Sequence, residues 1–196
     1  MNDGTIPTMD LSSFHLPGLS RGRPGWFVLL WWLVQATVFR WSFHQMYGYR
    51  AMLLRLFGAK IGRGVKIRPD ARCHFPWRVA IGDHCWIGNG VMLYSLAPIT
   101  IGTNCVISQE AYLNTGSHDI TSPTFDLIVK PIIVEDGAWI GARAFVNLGV
   151  TIHVNAVIGA MSNVTKDMPA NMVCVGNPCH PLKERGLKTA HDTATK

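Results

Sequence analysis

From residue 61 onward an aliphatic residue recurs every six positions, and in many of these hexads Gly follows it. The run reads IGRGVK IRPDAR at 61–72, IGDHCW IGNGVM LYSLAP at 81–98 and IGTNCV ISQEAY LNTGSH at 101–118. After a break it resumes as VEDGAW IGARAF VNLGVT IHVNAV IGAMSN VTKDMP at 134–169. A period of six fits neither the 3.6-residue turn of a helix nor simple strand alternation. It fits a triangular coil in which three hexads make one lap and each side is a short strand. Two-residue insertions set the early coils twenty residues apart, so Ile61, Ile81 and Ile101 should lie over one another. Stacked at the ~4.8 Å strand spacing, about five such coils give a prism roughly 24 Å tall.

So narrow a prism has little room inside, and each coil needs one large and one small inward residue. The fifth positions meet that demand: Val65, Cys85 and Cys105 form one stack, Ala71, Val91 and Ala111 another. Ala138, Ala144, Val150, Ala156 and Ser162 continue the rule. Cys85 and Cys105 then act as small hydrophobes rather than as chemistry. The glycines at the second positions are expected at tight corners with positive φ.

Outside the repeat the chain is apolar and unevenly charged. Of 196 residues, 48% are apolar and only 15% charged, which excludes a disordered, solvating chain. Net charge is +6, and eleven Lys/Arg against the single acid Asp70 lie between Arg21 and Arg78. Such a segment suits an anionic partner: nucleic acid, a membrane surface or a phosphorylated substrate. No aromatic platform or groove-reading helix accompanies it, so nucleic acid is not expected. The apolar stretch Trp26–Phe39 is too short to span a bilayer, for which ~18–20 residues are needed. It reads as a helix packed on its own domain or a neighbouring subunit, or as one lying on a membrane with Trp and Arg at the headgroups. The five cysteines are odd in number and lack CxxC spacing, so reduced thiols and a cytoplasmic setting are expected, with peripheral contact at the inner membrane face through 26–57.

Residues 61–178 resemble the hexapeptide-repeat acyltransferases, on more than a dozen concordant hexads. NTGSHD at 114–119, WIGARAFVNLGVTI at 139–152 and IGAMSNVTKDMPANMVCVGNP at 158–178 narrow the resemblance to the sugar O-acetyltransferases. The helical entry YRAMLLRLFGAKIG at 49–62 is similar to that of the colanic acid biosynthesis acetyltransferases. The resemblance implies a mainly β fold, a left-handed parallel β-helix with an N-terminal helical segment. The organisation expected is a tail at 1–25, an apolar and basic helical segment at 26–58, the β-helix at 59–183 with a loop at 116–131, and a flexible tail at 184–196. It further implies acetyl-CoA as co-substrate, a homotrimer, no metal, and a sugar or glycan acceptor, lipid-linked in one version, in exopolysaccharide biosynthesis.

Acetyl transfer to an alcohol needs a base at the hydroxyl, a donor for the oxyanion and a slot for the thioester. No GxSxG nucleophile is present, so direct attack without an acyl-enzyme is expected. Imidazole suits the base, and His118 within TGSHD matches the family's catalytic position. Asp119 is a weaker candidate for orienting it, because neighbouring side chains on a strand face apart. Tyr94 and Ser95, on the preceding coil, stand where relatives hold the acceptor. The resemblance points to the Ala142 N–H as oxyanion donor, and to Trp139, Ala142, Ala160, Thr165 and Lys166 along the coenzyme channel, with Lys183 and Arg185 as weaker phosphate partners. Two rivals share the solenoid. A γ-type carbonic anhydrase requires a second His five residues after His118, where Pro123 stands. A non-catalytic binding scaffold would need no base at all.

Overall fold

The computed structural model of the chain describes residues 8–14 and 20–188. Five complete coils stack into a three-sided column, and a sixth begins before the chain turns back. The first face pairs Lys60–Ile61, Val79–Ile81, Ile99–Ile101, Ile132–Val134 and Thr151–Ile152 in parallel. The second runs from Lys66–Ile67 through Trp86–Ile87, Val106–Ile107, Trp139–Ile140 and Val157–Ile158 to Met172–Gly176. The third contains Arg72–Cys73, Met92–Tyr94, Tyr112–Asn114, Phe145–Val146 and Asn163–Val164. The register is the one that the twenty-residue spacing requires: Ile61 pairs with Ile81 and Ile81 with Ile101.

The interior is as the repeat demands. First-position Ile107, Ile140 and Ile158 and fifth-position Cys105, Ala138 and Ala156 are fully buried. All five cysteines are buried and form no disulfide, and burial pushes the Cys73 thiol up to about 12, which keeps it protonated.

The corners correct one expectation. Positive φ falls on the fourth residue of the hexads, as at Gly64, His84, Gly90, Asn104, Glu110, Gly137 and Arg143, and not on the second-position glycines. Those glycines answer a different demand. A Cβ on Gly102 would meet Asp136 Oδ1 at 2.2 Å and its backbone N at 2.8 Å, and one on Gly141 would meet Ala160 N at 2.6 Å. The corner of one coil lies too close against the next for a side chain, whatever its φ.

The N-terminal segment caps the open end of the column. Helix α1, Gly25–Val34, passes through a π-helical stretch, Gln35–Phe39, and a loop leads to α2, Tyr47–Leu56. A bare first coil would offer unpaired backbone on three edges. Each edge receives a side chain instead. Arg55 Nε donates to Ile61 O at 2.9 Å on the first face, and Arg50 Nε to Ile67 O at 2.6 Å on the second. On the third, Trp31 Nε1 donates to Cys73 O at 2.8 Å while Gln35 Oε1 accepts from Cys73 N at 2.6 Å. Arg50 is fully buried and spends its other donors on Ser42 Oγ, Phe43 O and His44 O.

At the far end Cys179–Glu184 folds back antiparallel on Met172–Gly176. The two expected tails are therefore partly structured. Asp10 N donates to Pro123 O at 3.0 Å, tying the first described residues to the loop after the third coil. Arg185 donates to Gly137 O and Asn155 O, which roots the start of the C-terminal segment on the column. Residues 1–7, 15–19 and 189–196 of those tails lie outside the described residues.

Candidate active site

After the third coil the chain leaves the column as a hairpin. Gly116–His118 pairs antiparallel with Leu127–Val129, His118 opposite Leu127. The exit is tight, since a Cβ on Gly116 would lie 2.8 Å from Leu96 Cδ1. This geometry carries His118 off the corner between the third and first faces, into a cavity of about 500 Å³ shared by the column, the hairpin and the N-terminal segment.

The imidazole is fixed on two sides. Its Nδ1 lies 2.7 Å from Phe125 O. A carbonyl oxygen can only accept, so Nδ1 carries the proton and neutral His118 keeps its lone pair on Nε2. The Phe125 ring stacks on the imidazole at 3.8 Å with 7° between planes, and Phe14 packs at 5.9 Å. Phe125 itself adopts φ +56°, a strained value for a bulky residue. That backbone twist belongs to the residue that both orients and stacks on the imidazole.

Asp119 does not orient the ring. Its carboxylate accepts from the Thr121 N–H at 2.8 Å and the Thr121 hydroxyl at 2.6 Å, a local turn that holds it below the usual carboxylate range. The orienting group is a backbone carbonyl, which no side-chain motif reveals. Ser95 is also corrected. It is fully buried, donating to Phe75 O at 3.0 Å and accepting from Phe75 N at 2.8 Å, so it clamps two coils together. Tyr94 does line the cavity.

Beside Tyr94 stands a residue the motifs missed. His74 lines the same cavity, its ring 5.0 Å from Tyr94 and 5.7 Å from Trp32. Burial, with Arg21 and Arg78 nearby, lowers its pKa, so it is neutral at pH 7. The signal was present: positions 74, 94 and 114 share the twenty-residue spacing, and His74 N donates to Leu93 O as the coil register requires. Arg21 is the one charged side chain of the lining among the described residues, and no carboxylate joins it. Trp32, Phe75 and Phe125 supply flat apolar walls.

The residues matched to the coenzyme channel lie elsewhere. Ala142 and the exposed Ala160 occupy the corner between the second and third faces, and Trp139 projects from the second face with its Nε1 on Ser108 Oγ at 2.8 Å. Thr165 and Lys166 are exposed just past Asn163–Val164, at the opposite edge of the third face, and Lys183 is exposed on the closing strand. None of these lines the His118 cavity. Arg185 commits its Nη1 to the Gly137 and Asn155 carbonyls at 2.7 and 3.0 Å.

Comparison with known proteins sets this geometry in a class. The family described as "Hexapeptide repeat of succinyl-transferase" matches residues 78–113 and 131–166. A solved hexapeptide-repeat containing acetyltransferase of Vibrio cholerae O1 biovar eltor, complexed with acetyl coenzyme A, superposes with a TM-score of 0.77 at 28% identity, covering 89% of this chain and 94% of that one. Galactoside O-acetyltransferase of Escherichia coli K12 is 29% identical over 145 residues, 72% of this chain and 71% of its own length. The class is thus that of acetyl-CoA-dependent acetyltransferases built on a parallel solenoid. The chain belongs to the hexapeptide-repeat acetyltransferase family. Within it, a protein of Escherichia coli K12 named "Putative colanic acid biosynthesis acetyltransferase WcaF" is 49% identical over 176 residues, 90% of this chain and 97% of its own length.

Proposed function

We propose that the protein O-acetylates a sugar hydroxyl, with His118 as general base. The observation that carries this reading is the imidazole itself: Nδ1–H committed to Phe125 O at 2.7 Å, leaving Nε2 as the basic atom in a cavity with aromatic walls. Flat apolar rings suit the C–H faces of a sugar, and a neutral His74 and the Tyr94 hydroxyl offer hydrogen bonds to its other hydroxyls. The names of two relatives, a galactoside O-acetyltransferase and a colanic acid biosynthesis acetyltransferase, support a glycan acceptor.

Nε2 takes the hydroxyl proton as the oxygen attacks the thioester carbonyl. The new C–O bond forms, negative charge collects on the carbonyl oxygen, and the Ala142 N–H is our candidate donor to it. Collapse breaks the C–S bond, and the imidazolium returns its proton to the departing thiolate. Ala142 and Ala160 stand at a different corner from His118, so one chain does not bring the base and these two coenzyme candidates together. We infer that a second copy supplies the missing corner, and that three columns side by side make three complete sites. Light scattering on the purified chain should then give three times 21.7 kDa.

His118→Ala is expected to lower kcat for acetyl transfer to a galactoside panel by roughly 10²–10⁴-fold with an unchanged melting temperature. A folded variant with wild-type turnover would remove His118 from the chemistry.

A further inference from the structure

The helical cap has a second apolar side that its packing does not use. On α1, Val28 and Trp31 are buried against the coils, whereas Trp26, Leu29, Leu30 and Leu33 are between 42% and 67% exposed. Their three- and four-residue spacing puts them on one face of the helix. Further along the chain Val38 is 48% exposed, and Trp41 and Phe43 are each 82% exposed. Residues 25–39 carry no charged side chain, and exposed arginines flank them, Arg21 and Arg23 before and Arg40 after. Between Asp10 and Asp70 there is no acidic residue. A bare apolar face of this extent marks a docking surface.

We propose that this face docks the enzyme on an anionic bilayer surface, its Leu and Trp side chains entering the acyl boundary and the arginines meeting headgroup phosphates. Charge selects that occupant. Two copies meeting here about a two-fold axis would set one arginine rim against another, with no carboxylate on the segment to relieve them. Indoles at both ends, Trp26 and Trp41, suit the headgroup boundary. No helix among the described residues is long and apolar enough to cross a membrane, so α1 would lie in the surface plane. The cavity of His118 takes Trp32 from this helix and Arg21 from its rim, so a docked enzyme holds its acceptor site beside the surface. The proposal stands independently of the chemistry assigned to His118.

The test is flotation of the full chain with vesicles of phosphatidylglycerol and phosphatidylcholine, and with phosphatidylcholine alone, at low and high salt. The wild type should float with the anionic vesicles, less so at high salt and less with the neutral ones. Leu29→Ser with Leu33→Ser, and separately Trp41→Ser with Phe43→Ser, should lower the bound fraction about tenfold while melting temperature and solution mass stay fixed. Arg23→Gln with Arg40→Gln should abolish the preference for anionic vesicles. Failure of the wild type to float overturns the proposal, as do serine variants that float like the wild type. Serine variants with a smaller solution mass would assign the patch to contact between copies instead.

Discussion

The column and its cap solve the same problem, unpaired backbone at a strand edge, by opposite means. Within the column each coil is paired by the next, and Ile, Val, Ala and Cys fill the inside on a fixed period. At the cap there is no next coil, and four unrelated side chains, Trp31, Gln35, Arg50 and Arg55, take over the hydrogen bonding one edge at a time. The column is therefore uniform and redundant. The cap depends on single residues and leaves an apolar face outside.

Substitutions should expose that difference. Ile140→Ala empties a fully buried slot in the middle of the column and should cost about 2–5 kcal/mol in urea unfolding. The same kind of truncation on the outer face of the cap, Leu29→Ala, should stay within about 0.5 kcal/mol. Equal losses at the two positions would break the contrast. Next comes Arg50→Met, which keeps the stem and deletes the donors. Ile67 O and the loop carbonyls of Phe43 and His44 lose their partner, for an expected loss of about 2–4 kcal/mol. Hydrogen exchange in that variant should rise first at Lys66–Ile67 and in the loop at 40–46, and last in the central coils.

The smallest effect is on pH dependence. The pKa of His74 is lowered in the folded state, chiefly by burial, so the unfolded chain binds its proton more readily. Stability linked to this residue is present above the unfolded value, near pH 6.5, and is lost as pH falls below it. His74→Phe should flatten the melting-temperature profile below about pH 6.5, leaving the neutral-pH value little changed. An unaltered acid limb would show that His74 is not the responsible group.

What could be read from the sequence follows the same division. Spacing alone places Ile61, Ile81 and Ile101 in one ladder and Cys85 and Cys105 inside, because each position repeats one local environment. His118 is readable from the TGSHD motif, but its orienting partner is not, since that partner is the carbonyl of Phe125, and any residue has one. Ser95 and Asp119 mislead for a related reason. They sit where the chain departs from the hexad, and bonds to Phe75 on the neighbouring coil and to Thr121 in a local turn capture side chains that periodicity would leave free. The corner glycines teach the same lesson in reverse: they are placed by the repeat, but the reason for them is the neighbouring coil and not their own φ. Nothing in the order of residues 31–55 announces that Gln35 and Arg50 reach the edges of coils laid down later in the chain.

The helices cover one end of the column, and at the other the folded-back strand Cys179–Glu184 pairs over the last strand of the second face. A solenoid with open ends could stack on its own kind into a filament, end upon end, without limit. With the ends covered, the long flanks are the surfaces through which the proposed side-by-side contact between copies would run. End covers that oppose stacking would thus favour the closed, three-column arrangement proposed above over an open filament.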